Sequence, residues 1–399
     1  MKIFVITPKL DFLTAGGTTD EYDLTYRTLL GLGHEVTVIT TCPRANNIPF
    51  ELPYKVLGED INSHKMLGIQ TGVYKILKKY SDQAQAFFVD GQVFLYGAGF
   101  YRFRGGKVPV AAYFNRELTA WSGNVSYLFP HKKDSVFRRL KKIARFYFER
   151  LVLMPLTHKL DIIGFANACL TENYRKFGMR IDDRCFIFGD PFDYRGLMKK
   201  HDIHEDTYLK RNKTHGPFTI FYSSKMAPGK GFDLLLTAFS RLKNKENFRL
   251  VLGGDGQEEK FVREMVQDLR LEPFVELPGW MTKEELYKRF GQADMFIQAR
   301  WRNDLTSMSL MTAILFGLPS ILPGGGGLEW LAGSRCALYF KDNDIDDLTA
   351  KIEQLAGDRE LRERLSKECY IRMNEPELNH ISRIGELEKR MRAAAAKTE

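Results

Sequence analysis

Residues 218–231 read FTIFYSSKMAPGKG, an apolar run followed by a turn that contains one proline and two glycines. The aromatic and β-branched residues at its start predict a buried strand over Phe218–Tyr222. The apolar spacing that follows predicts a helix over Phe232–Leu242. A strand that enters a helix through a glycine-rich turn is typical of a parallel sheet covered by helices.

The same order of elements recurs on both sides of this stretch. Later strands are predicted at Phe248–Leu252, Phe274–Leu277, Met295–Ala299 and Ser320–Leu322, and earlier ones at Ile3–Thr7, Val36–Thr40, Ala86–Val89 and Val108–Tyr113. Because these runs are almost continuously apolar, we expect each sheet to be covered on both faces. The predicted fold class is therefore α/β, with two Rossmann-like, doubly wound parallel sheets.

The chain length and composition indicate two globular domains. It has 399 residues, of which 44% are hydrophobic and 27% charged, which excludes a mainly disordered or fibrous protein. A polar stretch without apolar periodicity separates the halves. We predict a first domain over 1–198, a linker over 199–216, a second domain over 217–375 and a charged helix over 376–399. Two such domains are expected to face each other across a ligand-binding cleft.

Two lysines in the turn after Phe218–Tyr222 are the first candidates for chemistry. Lys225 and Lys230 lie five residues apart, and Gly229 and Gly231 free the backbone beside them. Positive charge together with inward-pointing amides suits a diphosphate. The order of residues is not that of a P-loop. The alternative is that both lysines are ordinary solvated surface residues.

Three further glycine-rich turns follow predicted strands. Glycine lets the backbone approach a ligand closely, although a tight turn alone can also require it. Glu329, which follows the last turn, can accept hydrogen bonds from sugar hydroxyls or can cap the next helix. The candidate ligand contacts in these turns are Gly16, Gly17, Gly254, Gly325, Gly326 and Glu329.

The ordered set of motifs resembles glycosyltransferase family 4, the retaining enzymes of GT-B architecture that fall among the glycosyl transferases group 1. The resemblance covers nearly the whole chain and is strongest over 218–360. It rests on the Gly16–Gly17 turn, Gly33-His-Glu-Val36, Gly189–Asp193, the Lys225 and Lys230 pair, Gly253–Gly256, Gly279, Ala293-Asp294, Gly317-Leu-Pro319 and Gly325-Gly326-x-x-Glu329.

The resemblance implies a hexosyltransferase-like, retaining enzyme that uses a nucleotide-sugar donor, a glycan or lipid-linked acceptor, and neither a metal nor another cofactor. Lys225, Lys230 and the Gly16–Gly17 amides would stabilise the leaving diphosphate. Gly254, Gly325, Gly326 and Glu329 would contact the donor. The helix over 376–399 would cross back to the first domain, as the family's last helix does. Where the family carries two glutamates, this chain has Asp304, expected near the donor sugar, and Thr312, expected near the ribose.

These departures leave two other interpretations open. Thr312 keeps a hydroxyl but lacks a charge, so the chain could be a transferase-like binding or scaffold protein that has lost turnover. A GT-B sugar-nucleotide epimerase is a third reading, disfavoured because no carboxylate is evidently placed for proton transfer. In the first domain the family's histidine is replaced within Tyr113-Phe-Asn-Arg-Glu117, and no residue there receives a role.

The net charge of +9 is concentrated in one segment. Residues 131–150 hold eight Lys and Arg against Asp134 and Glu149, a net of +6, and the apolar spacing predicts an amphipathic helix. Its basic side could be a solvated face of a packed helix, or could bind an anionic membrane or lipid-linked acceptor. The residues of this surface are Lys132, Lys133, Arg138, Arg139, Lys141, Lys142 and Arg145.

Nucleic acid is the disfavoured partner for this segment, because its aromatic residues are expected on the core side, where bases cannot stack on them. The sequence opens without a secretory signal, and its five cysteines show no metal-ligand spacing. We therefore expect a cytoplasmic protein, with peripheral attachment to the inner face of the membrane if the basic helix binds lipid.

Overall fold

The structure is a computed structural model that describes residues 1–13, 17–62, 65–115, 136–210, 216–300 and 306–397. Within the helices, the side chains of Thr18, Arg138, Arg139 and Lys142 are outside this description. The chain divides into two compact units. The first contains the described residues up to Asp193 and those from Pro376 onward, and the second contains Tyr194–Glu375.

The first unit is built on a parallel sheet of seven strands. The central strands are buried along almost their whole length, as their apolar sequences predict. The strand order is β3-β2-β1-β4-β5-β6-β7, so the direction of winding reverses between β1 and β4. The strands are β1 (Lys2–Thr7), β2 (Glu35–Thr40), β3 (Lys55–Gly58), β4 (Ala86–Asp90), β5 (Val110–Phe114), β6 (Ile162–Phe165) and β7 (Cys185–Ile187).

The second unit has a parallel sheet of six strands with the order β10-β9-β8-β11-β12-β13. Its direction of winding reverses between β8 and β11, which pair through Ile220 with Met295 and Phe221 with Phe296. The strands are β8 (Phe218–Ser223), β9 (Phe248–Gly253), β10 (Val275–Gly279), β11 (Met295–Ile297), β12 (Ser320–Pro323) and β13 (Ala337–Phe340).

Helices connect most successive strands in both units, as is usual for parallel pairing, and a 3-10 turn at Pro43–Ala45 lies between β2 and β3. Those of the first unit are α1 (Gly17–Gly31), α2 (Met66–Tyr80), α3 (Leu95–Phe103), α4 (Val136–Phe148), α5 (Met154–Thr157), α6 (Ala168–Lys176) and α15 (His380–Ala395), with a π-helical segment, Glu149–Leu153, after α4. Those of the second are α7 (Tyr194–Lys200), α8 (Phe232–Ser240), α9 (Glu259–Asp268), α10 (Lys283–Gln292), α11 (Met308–Leu315), α12 (Gly326–Ala332), α13 (Ile345–Gly357) and α14 (Arg359–Met373).

The last helix, α15, packs on the first unit. Its apolar residues Ile384, Leu387 and Met391 are buried in the same core as β1 and β5. Glu388 lies 3.0 Å from the buried His34 ring, and Arg390 donates to the Asp183 carbonyl at 2.7 Å. The chain therefore returns to its first unit after leaving the second.

The predicted fold class, two doubly wound parallel α/β sheets, is confirmed. Strands β3, β6 and β7 of the first sheet were not among the strands predicted from the sequence. Helix α7 groups with the second unit, whereas the sequence placed its first residues in the first domain. None of the helices in the described part of the chain is long and apolar enough to cross a membrane.

Candidate functional site

The carboxyl edge of the second sheet is the place where this fold positions ligands, at the reversal of winding between β8 and β11. The residues that follow β8 form a basic loop (residues 224–231), which carries Lys225 and Lys230. The glycine turn after β9 lies beside it, and helix α11 begins above it. Sequence-predicted residues from three separate stretches thus share one edge.

The basic loop is held by buried anchors at both ends. Met226 is buried, and its amide donates to the Asp255 carbonyl at 2.7 Å. The Tyr222 hydroxyl donates to the Lys230 carbonyl at 3.0 Å, which fixes the far end of the loop. Lys225 is exposed and Lys230 half-buried. The backbone is therefore fixed while the Lys225 side chain extends into solvent.

Close packing against the basic loop explains why residue 254 is a glycine. It has φ +110°, and a Cβ added there would lie 2.0 Å from the Ser224 carbonyl oxygen. Its amide donates to the Gly279 carbonyl at 2.7 Å. The turn over Gly253–Gly256 therefore packs against the basic loop. This packing explains the glycines of the turn, so no contact with a ligand is needed to account for them.

The Gly325–Gly326 turn follows β12, two strands away from β8. Gly325 has φ +87°, and a Cβ there would meet no atom within 4 Å. Its amide donates to Glu329 Oε2 at 2.5 Å. Two roles were predicted for Glu329, and the structure shows the second: its carboxylate caps the amino end of α12.

Helix α11 carries Thr312 and contacts β8. The Ser309 hydroxyl donates to the Ser223 carbonyl at 2.7 Å, which brings the helix start to the end of the strand. Thr312 is buried, and its hydroxyl donates to the Met308 carbonyl one turn earlier at 2.9 Å. Asp304 lies outside the described residues.

Two polar residues after β11 were not identified as site residues by the sequence analysis. Gln298 is fully buried, and neither of its amide atoms has a hydrogen-bond partner among the described residues. Arg300 is also buried, with Nη1 3.8 Å from Asp233 Oδ2, and it packs directly under Gly231. Arg300 also donates from Nη2 to Asn343 Oδ1. Buried polar groups usually have partners, so the Gln298 amide marks this edge as more than a packing surface. The available signal was a glutamine inside the otherwise apolar predicted strand Met295–Ala299 and an arginine directly after it.

The first unit has a polar cluster at the corresponding edge of its own sheet, between β1 and β4. Asp90, at the end of β4, is 1% exposed, and its Oδ2 accepts a hydrogen bond from the Tyr26 hydroxyl at 2.8 Å. Burial raises the pKa of Asp90 to about 8, although the Tyr26 hydrogen bond opposes this. A carboxyl that keeps its proton near neutral pH was not predicted for this unit.

The other predicted first-unit residues are only partly described. Gly16 lies outside the described residues, and Gly17 begins α1. Lys132 and Lys133 are also outside, whereas Lys141 is exposed on α4 and Arg145 Nε lies 2.7 Å from Glu149 Oε1. Across the described ranges, no group of three or more His, Cys, Asp or Glu side chains is placed to hold a metal ion.

The expectation that the aromatic residues of α4 face the core is wrong. Phe137, Tyr147 and Phe148 are all exposed. The helix packs on the unit through Phe146, whose ring centroid is 5.0 Å from that of Phe177, and through the buried Glu149 beyond its end. Amphipathic spacing shows which residues share a face but does not decide which face packs.

Residues 205–372 match the family model described as glycosyl transferases group 1. Mannosylfructose-phosphate synthase of Agrobacterium fabrum is 29% identical over 153 residues, which are 36% of this chain and 34% of that protein. Alpha-monoglucosyldiacylglycerol synthase of Streptococcus pneumoniae is 26% identical over 159 residues, 39% of this chain and 35% of that protein. These matches thus span about a third of the length of each curated relative.

Solved structures resemble the chain over almost its whole length. Sucrose-phosphate synthase from Thermosynechococcus elongatus superposes with a TM-score of 0.72 at 14% identity and covers 99% of both chains. Anabaena HepE in complex with UDP and glucose superposes with a TM-score of 0.70 at 13% identity, over 98% of this chain and 100% of that one. The chain has the two-domain GT-B fold, and its residues 205–372 are similar to the glycosyl transferases group 1.

Proposed function

We propose that this chain transfers a sugar from a nucleotide-sugar donor to a glycan or lipid-linked glycan acceptor, with retention of configuration and without a metal. The observation that carries the proposal is the basic loop, anchored at the winding reversal of the second sheet, inside the segment that matches the family model. Ligands of open parallel sheets bind at this position.

The chemistry that the loop supplies is charge stabilisation. When the bond from the donor sugar to its diphosphate breaks, negative charge grows on the leaving phosphate oxygens. Lys225 and Lys230 would neutralise that charge, and an anchored loop does so with little reorganisation. The Gly16–Gly17 backbone would add amide donors from the first unit.

The remaining donor contacts are proposed from the same edge. Thr312 would lie near the ribose, Asp304 near the donor sugar, and Gly254, Gly325, Gly326 and Glu329 around the diphosphate and sugar. In the structure the Thr312 hydroxyl and one Glu329 oxygen already have partners, so donor binding would have to share or exchange those bonds. A neutral hydroxyl such as that of Thr312 gives a weaker contact than a carboxylate–ribose pair.

The nucleotide and acceptor classes can be ordered for testing. HepE was solved with UDP and glucose, so uridine diphosphate sugars come first. The name of one relative refers to a glucosylated diacylglycerol and that of another to a sugar phosphate, so lipid and soluble acceptors both enter the screen. We propose that the reaction takes place at the cytoplasmic face of the membrane.

The first experiment is a thermal-shift panel of UDP-, GDP-, ADP-, CMP- and dTDP-sugars with the corresponding free nucleotides. Ligand at ~100 times its dissociation constant adds ~2.7 kcal/mol to the unfolding free energy, enough for a visible shift. A shift with one base identifies the donor class and supports the proposal. A folded protein that shifts with none of them contradicts it.

Transfer with the identified donor is then measured for Lys230→Ala and for the control Lys243→Ala. Lys243 is an exposed lysine of the same unit, beyond the end of α8, at the opposite edge of the sheet. Loss of one electrophilic stabiliser should lower the rate on the order of 10²–10³-fold, with the control unchanged. An unchanged rate for Lys230→Ala would rule out the diphosphate assignment.

The alternative, a binding or scaffold protein without turnover, is favoured by one observation: a neutral, buried threonine stands where the family has a ribose-binding glutamate. Thr312→Glu discriminates between the two. A gain in nucleotide affinity without any transfer by either form supports the scaffold. Transfer by the unmodified chain excludes it.

A further inference from the structure

Helix α4 and the π-helical segment after it expose a continuous apolar ridge, which consists of Val136, Phe137, Leu140, Ile143, Tyr147 and Leu151. These six side chains are between 48% and 77% exposed. Phe137, Leu140, Ile143, Tyr147 and Leu151 recur at intervals of three and four residues, and Val136 lies four residues before Leu140, which places all six on one broad face. A contiguous apolar patch of this kind is uncommon on a soluble surface and indicates an interaction site.

The ridge points away from the unit that carries the helix. The packed side of α4 is roughly opposite, where the Phe146 ring meets Phe177 at a centroid distance of 5.0 Å. Glu149, on that same side, is buried and accepts from Arg145 at 2.7 Å. The most apolar face of the helix is therefore the one left without cover by the described residues.

Basic residues border the ridge. Lys141 and Arg150 are exposed, and the surrounding residues 131–150 carry eight Lys and Arg against two acidic residues. An apolar face edged with positive charge complements an anionic lipid surface, where acyl chains accept the ridge and headgroups meet the cations. The aliphatic members Val136, Leu140, Ile143 and Leu151 cannot stack on bases, which disfavours a nucleic acid at this face.

We propose that the apolar ridge inserts into the interfacial layer of an anionic bilayer, with α4 lying in the membrane plane and Lys141 and Arg150 at the headgroups. The attachment is hydrophobic as well as electrostatic. The inference rests on the exposure of the ridge and is independent of the proposed transferase activity.

The test is co-sedimentation of the full chain with phosphatidylcholine vesicles, with and without phosphatidylglycerol. The variant Leu140→Asn/Ile143→Asn is compared with the control Ile371→Asn/Ile381→Asn, which changes two similarly exposed apolar residues of other helices. The ridge variant should lower the vesicle partition coefficient on the order of tenfold per residue. The control should stay within about twofold of the unmodified chain, because surface substitutions outside an interface change little.

Added salt separates insertion from simple charge attraction. Salt should weaken the binding of the unmodified chain but leave a component that the ridge variant lacks. Binding that salt abolishes, and that Leu140→Asn/Ile143→Asn does not change, would overturn the proposal.

Two other results would also overturn it. One is failure to bind either vesicle, together with a dimer on size-exclusion chromatography that the ridge variant dissociates, because the ridge would then be a surface between two copies. The other is binding of a single-stranded RNA that depends on Lys141 and Arg150, with no binding to vesicles.

Discussion

Replacing Asp90 by asparagine tests whether a neutral carboxyl is built into the first unit. Asp90 is 1% exposed at the end of β4, and Tyr26, on α1, donates to its Oδ2. Its Oδ1 has no partner among the described residues. Asparagine is nearly isosteric and keeps an oxygen that can accept from Tyr26, but it cannot ionise.

The sign of the effect follows from the pKa of Asp90, which burial raises to about 8. In the unfolded chain an aspartate ionises near its ordinary pKa of ~3.9. Between those values the unfolded chain loses a proton that the folded chain retains, so the unmodified protein becomes less stable as the pH rises. The stabilisation is fully present below about pH 4 and is lost as the pH approaches 8.

The expected slope is ~1.4 kcal/mol per pH unit for one proton. The unfolding free energy of the variant, relative to that of the unmodified protein, should therefore increase by roughly 2–3 kcal/mol from pH 5 to pH 7. Any constant penalty from the asparagine NH₂ group does not alter this slope.

Hydrogen exchange of peptides that cover β4 measures this difference in a chain with two units, where a single melting transition cannot be assigned to one of them. The intrinsic pH dependence of exchange cancels between the two proteins. A difference that does not change with pH would refute the reasoning, because it would mean that Asp90 is already ionised in the folded state. A variant that loses stability relative to the unmodified protein as the pH rises would refute it more strongly.

Two further predictions concern stability. Gly254→Ala should destabilise the second unit by at least about 2 kcal/mol in a chemical-denaturation assay, because φ is +110° and the added Cβ would lie 2.0 Å from the Ser224 carbonyl oxygen. The control is Gly385→Ala in α15, where no atom lies within 4 Å of the added Cβ. In the same assay this control should stabilise the protein by ~0.5–1 kcal/mol. Asn167→Ala should lower the unfolding free energy by about 1–2 kcal/mol, because the buried Asn167 Oδ1 caps α6 by accepting a hydrogen bond from the Leu170 amide at 2.9 Å. An unchanged denaturation midpoint would show that the cap contributes nothing to stability.

Much of the fold follows from local sequence pattern. Apolar runs of strand length, glycine turns and helical spacing predict β1, β8 and the connections after them, because a parallel strand buried on both faces must be apolar throughout. The position of the basic loop follows in the same way, since a turn between a parallel strand and its helix lies at the carboxyl edge of the sheet. The second unit, with short loops and regular spacing, was the more predictable part.

Tertiary structure decided what local pattern leaves open. The pair of Tyr26 and Asp90 joins residues 64 positions apart, and only the winding of the sheet brings them together. The burial of Thr312 depends on where α11 packs, not on its own sequence.

The clearest division lies in α4. Its sequence determines that an apolar face and a basic face exist, because a period of 3.6 residues assigns every side chain to a side of the helix. Which side meets the core depends on whether the unit offers a complementary surface, and here that surface accepts Phe146 and Glu149 and leaves the apolar ridge outside. The free energy of packing depends on both contacting surfaces, so the sequence of one helix does not decide which of its faces is buried.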